Sequence, residues 1–563
     1  MIINVLDFGI CANTGADNTL PLRNLLSSIK SIDDVTIQFN EGIYHFYPDY
    51  ANELLLYIPN HDEDSVKRIA FTLCEQHGIS ICGNNTSFVF GADIIPFYFY
   101  KCDNITVSGI NIDYACPIYS EADIISADDK EITMAIDADK YPYSIINEQL
   151  YFPRGGELQP LIRWLEMDKE RLAPVYDTHD VVFGDTLGGI TPQYCEIKRG
   201  VISLTLSNKK QHFLASSRAG NKLILRHHLR THPCFYAAYC TNVQLLSVNV
   251  YHASGMAFIA EHTCNIDLTE FNVKINPDNP RIFTATADAT HFVYCSGTIN
   301  INSCLFENQL DDPINIHGIY AKINKVINPT SIIVQLVHFQ HKGVSIGEVG
   351  QPIRIVDNET MLPCFETTIS EIHKLNKDFT EIILNEPCDT LSINCVIENL
   401  AYIPDVNIRK CTFRNNRARG PLLTSAGKVV VEDNYFCVPG AAILIEGDSN
   451  NWFESGATKD ITICNNVFDN CAYVSDWGNA PIQITPSTIK TDGSERFHKL
   501  LQITNNTFNC FDEALIYAKH IDKIIFTDNI ITHTNAFAPL RNKPFHLEYV
   551  NDFIDSNNIY KEN

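Results

Sequence analysis

The sequence predicts an all-β protein, a right-handed parallel β-helix that carries two inserted antiparallel β-barrel domains. Three observations lead to this fold class. Short strand-like segments recur along the chain, the apolar residues that close them recur at a step of 23 residues, and two long gaps interrupt the series. With 563 residues and 45% hydrophobic content, the chain is long enough for several domains or one large repetitive core.

The repeat unit is measured between the apolar residues that close successive strand segments. The step of 23 residues recurs three times, and the steps of 32, 33 and 40 residues fit the same unit with an added loop. The steps of 23 run from Val250 to Val273, from Phe413 to Phe436, and from Phe508 to Ile531. Leucine-rich repeats have a similar length, but their Leu/Asn consensus is missing. The step therefore favours one coil of a parallel β-helix, with about three short strands and three turns.

Equivalent residues of stacked coils form ladders, because neighbouring strands lie about 4.8 Å apart. Asn434, Asn466, Asn506 and Asn529 occupy equivalent places and are expected to form an Asn ladder in one turn. Cys304 and Cys411 also match in position. These repeated residues are interpreted as structural, because the turns of a solenoid need the same polar contacts in every coil.

The N-terminal segment is expected to close one end of the β-helix. Asp7-Phe8-Gly9 followed by Asp17-Asn18-Thr19 resembles the opening of pectin-lyase-like β-helices. A short helix from about Leu20 to Ile29 would cap the open end, and the first coil would begin at Val35.

Two gaps in the repeat, of 138 residues from Ile112 to Val250 and of 107 residues from Phe306 to Phe413, contain alternating strand-like segments. Both gaps are interpreted as antiparallel β insertions. The predicted domains are 1–114 (β-helix with capping helix), 115–238 (first barrel), 239–319 (coils with the catalytic acids), 320–400 (second barrel) and 401–563 (C-terminal coils).

Charge excludes two classes of partner. With 42 Lys and Arg against 67 Asp and Glu, the formal charge is −25, so neither nucleic acid nor an anionic membrane is expected as the main partner. No stretch of 18 apolar residues occurs, so no membrane span is expected. The start of the chain does not resemble a signal peptide. We expect a secreted, periplasmic or outer-surface protein if a signal peptide has been removed, and a cytoplasmic one otherwise.

Cysteine is abundant, with 19 residues, but it shows neither a CxxC pair nor a zinc-ribbon spacing. A disulfide scaffold is not expected at this chain length. We therefore expect most of these residues to be buried thiols that pack as small apolar side chains.

Three aspartates form the most informative pattern in the chain. Asp288 precedes Asp311 by 23 residues and Asp312 by 24, so one coil separates them, and all three are expected on one face with their side chains towards solvent. Crowded carboxylates repel one another and raise at least one pKa, and they usually serve catalysis or a bound cation. A calcium site is the alternative. However, β-helix lyases also need a Lys or Arg base beside the metal, and the sequence shows no clear one on this face.

The motif around these acids resembles a known family. Thr286 to Ala289 (TADA), together with Asp311 to Gly318 (DDPINIHG), resembles glycoside hydrolase family 110, whose members are exo-acting α-galactosidases on β-helices with two inserted β-barrels. A more distant likeness is to polygalacturonases, which use one Asp and an Asp pair one coil later. The Asn of their Asn-Thr-Asp motif is missing here, and their later Gly-His-Gly has no counterpart at its usual spacing.

The resemblance implies hydrolysis of terminal α-1,3-linked galactose with inversion, as on blood group B antigens, and it implies no metal and no cofactor. Inversion requires one carboxyl to protonate the leaving oxygen and another to activate water, about 6.5–9.5 Å apart. By similarity to related β-helix hydrolases, Asp311 is expected to be the acid, while Asp288 and Asp312 share the water.

Six further residues are candidates for substrate binding. Arg417 and Arg419 are expected one coil above the Asp pair, where they could bind sugar hydroxyls, offset the acids or form surface salt bridges. His291, Asn315 and His317 follow the acids along their strands, and since a strand alternates faces not all of them can point at the sugar. Trp477 is expected to stack on a galactose ring or to pack in the core.

The expected partner is a galactose-terminated oligosaccharide or glycan, and a homodimer is possible. Two other classes stay open on the sequence alone. One is a polygalacturonase-like hydrolase or polysaccharide lyase, and the other is a non-catalytic carbohydrate-binding β-helix. The stacked acids argue against the binding module, which would favour aromatic side chains over carboxylates.

Overall fold

The computed structural model describes residues 1–91, 93–128, 130–183, 192–206, 217–491 and 493–561. The described strands of the coils pair in parallel, except where Asn52–Leu56 pairs with Ser65–Cys74 and where Gly318 and Ile319 pair with Ser455 and Glu454. The predicted parallel β-helix is therefore confirmed.

The coil strands before the first insertion are Ile2–Asn4, Val35–Gln38, Gly42–Phe46, Asn52–Leu56, Ser65–Cys74, Ile79–Phe90, Ile95–Tyr100 and Asp103–Tyr114. Those between the insertions are Phe235–Ala238, Thr241–Leu246, Asn249–Val250, Phe258–Glu261, Cys264–Thr269, Asn272–Val273, Thr290–Val293, Ser296–Asn302, Leu305–Glu307 and Ile314–Ile319. Those after the second insertion are Asp405–Arg409, Thr412–Arg414, Leu422–Leu423, Lys428–Glu432, Tyr435–Cys437, Ile443–Ile445, Glu454–Ser455, Asp460–Cys464, Val467–Asp469, Ile482–Ile484, His498–Thr504, Thr507–Cys510, Ile516–Thr527, Ile530–His533, Phe545–Ser556 and Ile559–Lys561.

An α-helix at Thr19–Ser28 covers the N-terminal end of the coil and buries Leu22, Leu25 and Leu26, as the sequence predicts. Short 3-10 helices span Val5–Phe8, Pro48–Tyr50, Phe339–His341 and Ser475–Trp477. Within the described ranges, no helix has both the length and the apolar character needed to cross a membrane.

The first insertion contains the strands Ser120–Ala127, Glu131–Ala135, Arg163–Met167, Val181–Val182, Pro192–Lys198, Val201–Leu206 and Lys222–Arg226, which form one antiparallel sheet. A second, three-stranded sheet contains Ser144–Ile146, Gln149–Arg154 and Glu157–Pro160. The second insertion closes into an antiparallel barrel of Ala321–Asn328, Ser331–Gln335, Pro352–Asp357, Pro363–Lys374, Phe379–Leu384 and Cys395–Asn399. Each insertion buries an apolar cluster of its own. We propose the predicted domain limits as the ends of these units, except that the first insertion ends before the coil strand Phe235–Ala238.

The interior of the coil is filled by residues stacked in register. Phe413, Phe436, Phe468 and Phe508 stack with successive ring centroids 4.9, 5.0 and 4.7 Å apart. These spacings match the distance between neighbouring strands, so each ring sits on the ring of the coil below. The apolar residues that close the repeat units in the sequence therefore form the core of the coil.

The predicted Asn ladder is present and buried. The Asn434 side-chain amide donates to Asn466 Oδ1 at 3.0 Å, Asn466 donates to Asn506 at 3.0 Å, and Asn506 donates to Asn529 at 3.1 Å. Asn529 in turn donates to Asn558 at 3.0 Å, which extends the ladder by one coil. Each Oδ1 also accepts from a backbone N–H one coil away, so the ladder satisfies backbone groups that no strand pairs.

The cysteines agree with the prediction that no disulfide scaffold is present. All 19 are free thiols. Ten of them are buried, among them Cys304 and Cys411, which lie in neighbouring coils where the sequence matched them. The thiols therefore pack as small apolar residues.

Replacing Asn466 by Ala should lower the free energy of unfolding by at least about 2 kcal/mol, because buried groups left without a partner cost about 1–3 kcal/mol each. Asn466 Oδ1 accepts from the Asn434 backbone, and its amide donates to the carbonyls of Val431 and Cys464. The matched control is Asn558→Ala at the half-buried end of the ladder, where water can replace the lost contacts. Urea unfolding measures both, and equal losses would contradict the ladder's role.

Candidate active site

A cavity of about 590 Å³ opens on the side of the coil where two neighbouring strands, Thr290–Val293 and Ile314–Ile319, begin. Its wall combines residues of the coil with residues of the first insertion. The lining residues are Asn60, Asp62, Tyr119, Ile162, Arg163, Arg226, His228, Leu229, Arg230, Met256, Asp288, His291, Asp311, Asp312, Asn315, Arg417, Arg419, Leu422, Glu446, Trp452, Glu454 and Trp477. All three predicted acids are among them.

Strand register brings the acids together. Thr290 pairs with Ile314 in parallel, so Asp288 and Asp312 each lie two residues before a paired position. The backbone N–H of Ala289 donates to the carbonyl oxygen of Asp312 at 3.0 Å, which continues the stacking up to the acids. The spacing of 24 residues therefore places Asp312 directly over Asp288, as the sequence predicts.

The three acids differ in accessibility. The side chains of Asp288 and Asp312 are 6% and 3% exposed, whereas that of Asp311 is 20% exposed. The expectation that all three side chains face solvent is therefore wrong. The reason is that the first insertion and the neighbouring coils build walls around this face of the coil, which a count of coil positions does not include.

Arginines neutralise the acids. Arg419 donates two hydrogen bonds to Asp312, from Nε to Oδ1 at 3.1 Å and from Nη2 to Oδ2 at 2.9 Å. Arg230 Nη1 lies 3.2 Å from Asp311 Oδ2, and Arg417 Nη1 lies 3.9 Å from Asp311 Oδ1. Arg417 and Arg419 therefore lie beside the acids, where the sequence placed them, and Arg230 is a further cationic side chain on this face that the sequence did not identify. Arg230 enters from the end of the first insertion, where strand spacing gives no signal.

A second ion pair fixes Arg417. Its guanidinium contacts the carboxylate of Asp180 with Nη2 to Oδ2 at 2.7 Å, and it lies 4.4 Å from the ring of Trp477. Trp477 also lies 5.5 Å from the Arg419 guanidinium, so one indole holds both arginines. Neither of the two expectations for Trp477, stacking on a galactose ring or packing in the core, included a contact with arginines. The Trp477 ring does line the cavity.

Burial controls the protonation of the acids. It raises the pKa of Asp288 well above the ordinary range, and the nearby Asp311 and Asp312 raise it further. Burial raises the pKa of Asp312 to about 6, although Arg419 works in the opposite direction. Glu446 and Glu454 line the same cavity, and burial raises the pKa of each to about 7. Buried carboxyls that line the cavity therefore bind protons near neutral pH.

A chain of hydrogen bonds runs from Asp288 into the protein. Asp288 Oδ2 lies 2.7 Å from His291 Nδ1, His291 Nε2 lies 2.8 Å from His317 Nε2, and His317 Nδ1 lies 2.7 Å from the Gly318 carbonyl oxygen. A carbonyl only accepts, so His317 Nδ1 carries a proton. Burial lowers the pKa of His317 to about 4 and that of His291 well below its usual range, so both rings are neutral.

Counting protons along this chain fixes the state of Asp288. Neutral His317 accepts at Nε2, so neutral His291 donates from Nε2 and accepts at Nδ1. The third bond must then be donated by Asp288, as a protonated carboxyl. Hydrogen-bond geometry and the raised pKa of Asp288 thus agree that this residue holds a proton.

His291, His317 and Glu454 bring three potential metal ligands within 4.8 Å of one another. Two imidazole nitrogens on one tetrahedral zinc, each bonded at 2.0–2.1 Å, would lie about 3.3 Å apart. The observed 2.8 Å between the two Nε2 atoms fits a hydrogen bond better. These residues therefore do not fit a metal well.

The remaining predicted residues divide into two groups. His291 and Asn315 line the cavity, and Asn315 Oδ1 is buried with no partner among the residues that the structure describes, which leaves an acceptor free for a ligand. His317 does not line it, because its unexposed ring lies behind His291. His317 therefore contributes to the site through its hydrogen bond to His291 rather than by lining the cavity.

Five residues of the site were missed by the sequence argument: Asp180, Arg230, Glu446, Trp452 and Glu454. Asp180 and Arg230 come from the first insertion, Trp452 comes from the loop before the short strand Glu454–Ser455, and Glu454 is the first residue of that strand. Glu446 directly follows a coil strand, Ile443–Ile445, whose position above the acids could have identified it.

Comparison with known proteins matches both insertions to described domains, and it matches nearly the whole chain to named relatives. GLAA-B beta-barrel domain I matches residues 120–228, and GLAA-B beta-barrel domain II matches residues 331–391. Alpha-1,3-galactosidase A of Shewanella woodyi is 30% identical over 99% of this chain and 90% of that protein.

Two further relatives carry the same type of name. Alpha-1,3-galactosidase B of Bacteroides thetaiotaomicron is 30% identical over 99% of this chain and 90% of that protein. Alpha-1,3-galactosidase B of Phocaeicola vulgatus is 31% identical over 95% of this chain and 91% of that protein. Identity at this level over nearly the full length, with both insertion domains matched, shows that the chain belongs to the alpha-1,3-galactosidase family, glycoside hydrolase family 110.

Proposed function

We propose that this protein is an exo-acting glycosidase that hydrolyses terminal α-1,3-linked galactose from glycans with inversion at the anomeric carbon. The observation that carries the proposal is the set of three carboxyls, Asp288, Asp311 and Asp312, gathered in one cavity of a protein whose relatives are named alpha-1,3-galactosidases. Blood group B-like glycoconjugates present this terminal linkage and are the substrate class that we propose.

The catalytic roles that we propose for the three acids follow from their contacts. Asp312 is held by two bonds from Arg419, and Asp288 is held by His291. Asp311 is the most accessible and has only single contacts, at 3.2 and 3.9 Å. Asp311 is therefore the carboxyl that can turn towards a glycosidic oxygen, while Asp288 and Asp312 hold a water on the opposite face of the sugar.

The proton for the leaving group belongs to the set of acids rather than to one residue. Carboxyls that interact this strongly titrate together, so their apparent pKa values describe the group. In the free enzyme the proton rests on Asp288. For catalysis this proton must pass to Asp311, which donates it to the leaving oxygen, and Asp288 is then left as a carboxylate beside the water.

Sugar hydroxyls find partners around the acids. Asn315 Oδ1 offers a free acceptor, and Glu446 and Glu454 offer carboxyl groups in the same cavity. Asn60 donates to Glu454 Oε1 at 3.3 Å, which holds that side chain in the wall. A polar, fixed set of acceptors of this kind suits a hexose with several hydroxyls.

The substrate and stereochemistry are tested together. The enzyme should release galactose from an α-1,3-linked galactose disaccharide, leave polygalacturonate intact, and keep its rate in EDTA. Proton NMR during the first minutes should show β-galactose, because water attacks opposite the leaving group. First release of α-galactose would contradict inversion. Loss of activity in EDTA that calcium restores, with cleavage of polygalacturonate, would indicate a lyase instead.

Replacing each acid by Asn should lower kcat by at least about two decades, since general acid–base groups contribute about 10²–10⁴-fold. Asp311→Asn should lose least on nitrophenyl α-galactoside, because that leaving group needs little protonation. Asp288→Asn and Asp312→Asn should lose equally on both substrates, because water activation fails in each case. Steady-state kinetics on the disaccharide and the nitrophenyl substrate measure the difference.

A folding control accompanies these variants, because Asp288 and Asp312 are buried. Asp312→Asn leaves the Arg419 guanidinium without its carboxylate and should lower the melting temperature, whereas the half-buried Asp311 should tolerate Asn better. If the nitrophenyl substrate rescued Asp288→Asn instead of Asp311→Asn, the acid would be Asp288, the residue that bears the proton in the free enzyme.

Activity should fall as the pH drops through about 6, because Asp312 must be ionised to activate water and burial raises its pKa to about 6. Arg419→Gln removes the charge that holds this pKa down, so the acidic limb of the kcat/KM profile should move to higher pH. The matched control is Arg409→Gln, which breaks an exposed ion pair with Glu432 and should leave the profile in place. An unmoved limb in Arg419→Gln would contradict the role of Asp312.

A further inference from the structure

Two large apolar side chains line the cavity while remaining strongly exposed. Trp452 is 44% exposed and Leu229 is 50% exposed. The acids and arginines of the same cavity are buried or half-buried. The cavity is therefore charged and polar in its depth, and apolar where it meets solvent.

The loop that carries Trp452 is rigid. The buried carboxylate of Asp448 accepts three backbone N–H groups, from Asn450 at 2.7 Å, Asn451 at 3.0 Å and Trp452 at 2.7 Å. The loop closes where the Asp448 N–H donates to the Glu454 carbonyl at 2.9 Å. One hairpin therefore places the Glu454 carboxyl in the cavity wall and the Trp452 indole at its mouth.

The second insertion supports the indole. The ring of His338, at the start of the 3-10 helix segment Phe339–His341, lies 4.6 Å from that of Trp452 between centroids. That helix is fixed against the cavity wall, because Gln340 donates to Asp62 Oδ1 at 2.6 Å and its carbonyl accepts from the Asn60 N–H. A rigid, exposed indole supported on one side needs little ordering when a ligand binds, which favours binding.

The position of the acids determines what Trp452 can meet. Under the proposed exo-hydrolysis, the terminal galactose occupies the depth of the cavity, with its anomeric carbon at the three carboxyls. The sugar to which it is linked must then extend towards the solvent, past the mouth. Sugars present a face of C–H groups that packs on aromatic rings, and Trp offers the largest such surface.

We propose that Trp452 forms an acceptor-side platform, on which the sugar that carries the terminal galactose stacks during hydrolysis. This inference rests on the proposed function and adds a binding site to it. Its ligand is the ring of the second sugar of a galactose-terminated oligosaccharide. The platform raises kcat/KM for the oligosaccharide and leaves that for a galactoside with a small leaving group unchanged.

The test compares an α-1,3-linked galactose disaccharide with α-galactosyl fluoride, whose leaving group has no ring to stack. Trp452→Ala should lower the ratio of kcat/KM for the disaccharide to that for the fluoride about two- to tenfold, the size of an aromatic contact. Most of the loss should appear in KM, because stacking binds ground state and transition state alike. Trp452→Phe should restore part of it, and Tyr560→Ala, an exposed ring on the last coil, is the control.

The outcomes separate the platform from the proposed function. An unchanged ratio in Trp452→Ala, with wild-type cleavage of both substrates, would overturn the platform alone. An equal loss on both substrates would do the same, because it would place Trp452 in galactose binding or in folding. A wild-type enzyme that hydrolyses the fluoride but never the disaccharide would overturn the proposed function itself.

Discussion

The in-register stacking of parallel strands is the constraint on which this molecule depends. At the strand spacing of about 4.7–4.9 Å, residues one coil apart are forced into contact, whatever their chemistry. Where the repeated residue is Phe or Asn, the contact builds the aromatic stack and the amide ladder. Where it is Asp, as at Asp288 and Asp312, the same geometry produces repulsion that the rest of the structure must offset.

The compensation comes from elements outside the acid-bearing strands. Arg419 lies one coil further on, whereas Arg230 and Asp180 come from the first insertion. Asp180 holds Arg417 in place, and the indole of Trp477 holds Arg417 and Arg419 together. The first insertion is therefore part of the active site, because without it Asp311 would lose its main counter-charge and the cavity would lose a wall.

This division explains what the sequence can and cannot predict. The coil and the stacking of the acids follow from residue spacing, because in a solenoid spacing determines contact. The capping helix follows from the resemblance of the N-terminal segment to other β-helices and from the need to cover the open end of the coil. The contacts of Arg230 and Trp452 depend on how an insertion and a loop dock on the coil, which no local pattern encodes. The prediction that the acids face solvent is wrong for the same reason, since the walls that bury Asp288 and Asp312 come from those docked parts.

The three acids differ in the contacts that hold them, and these differences bear on the chemistry that each can perform. A carboxyl fixed by two arginine bonds, as Asp312 is, would lose a bond by taking up a proton, so it suits a base. Asp288 donates its proton to His291, whose own N–H is already donated to His317, so the proton remains on Asp288. Asp311 has the weakest contacts and the greatest exposure, and it alone can exchange a protein partner for a substrate oxygen. Stacking therefore brings three identical side chains together, and their different partners support the different roles that we propose for them.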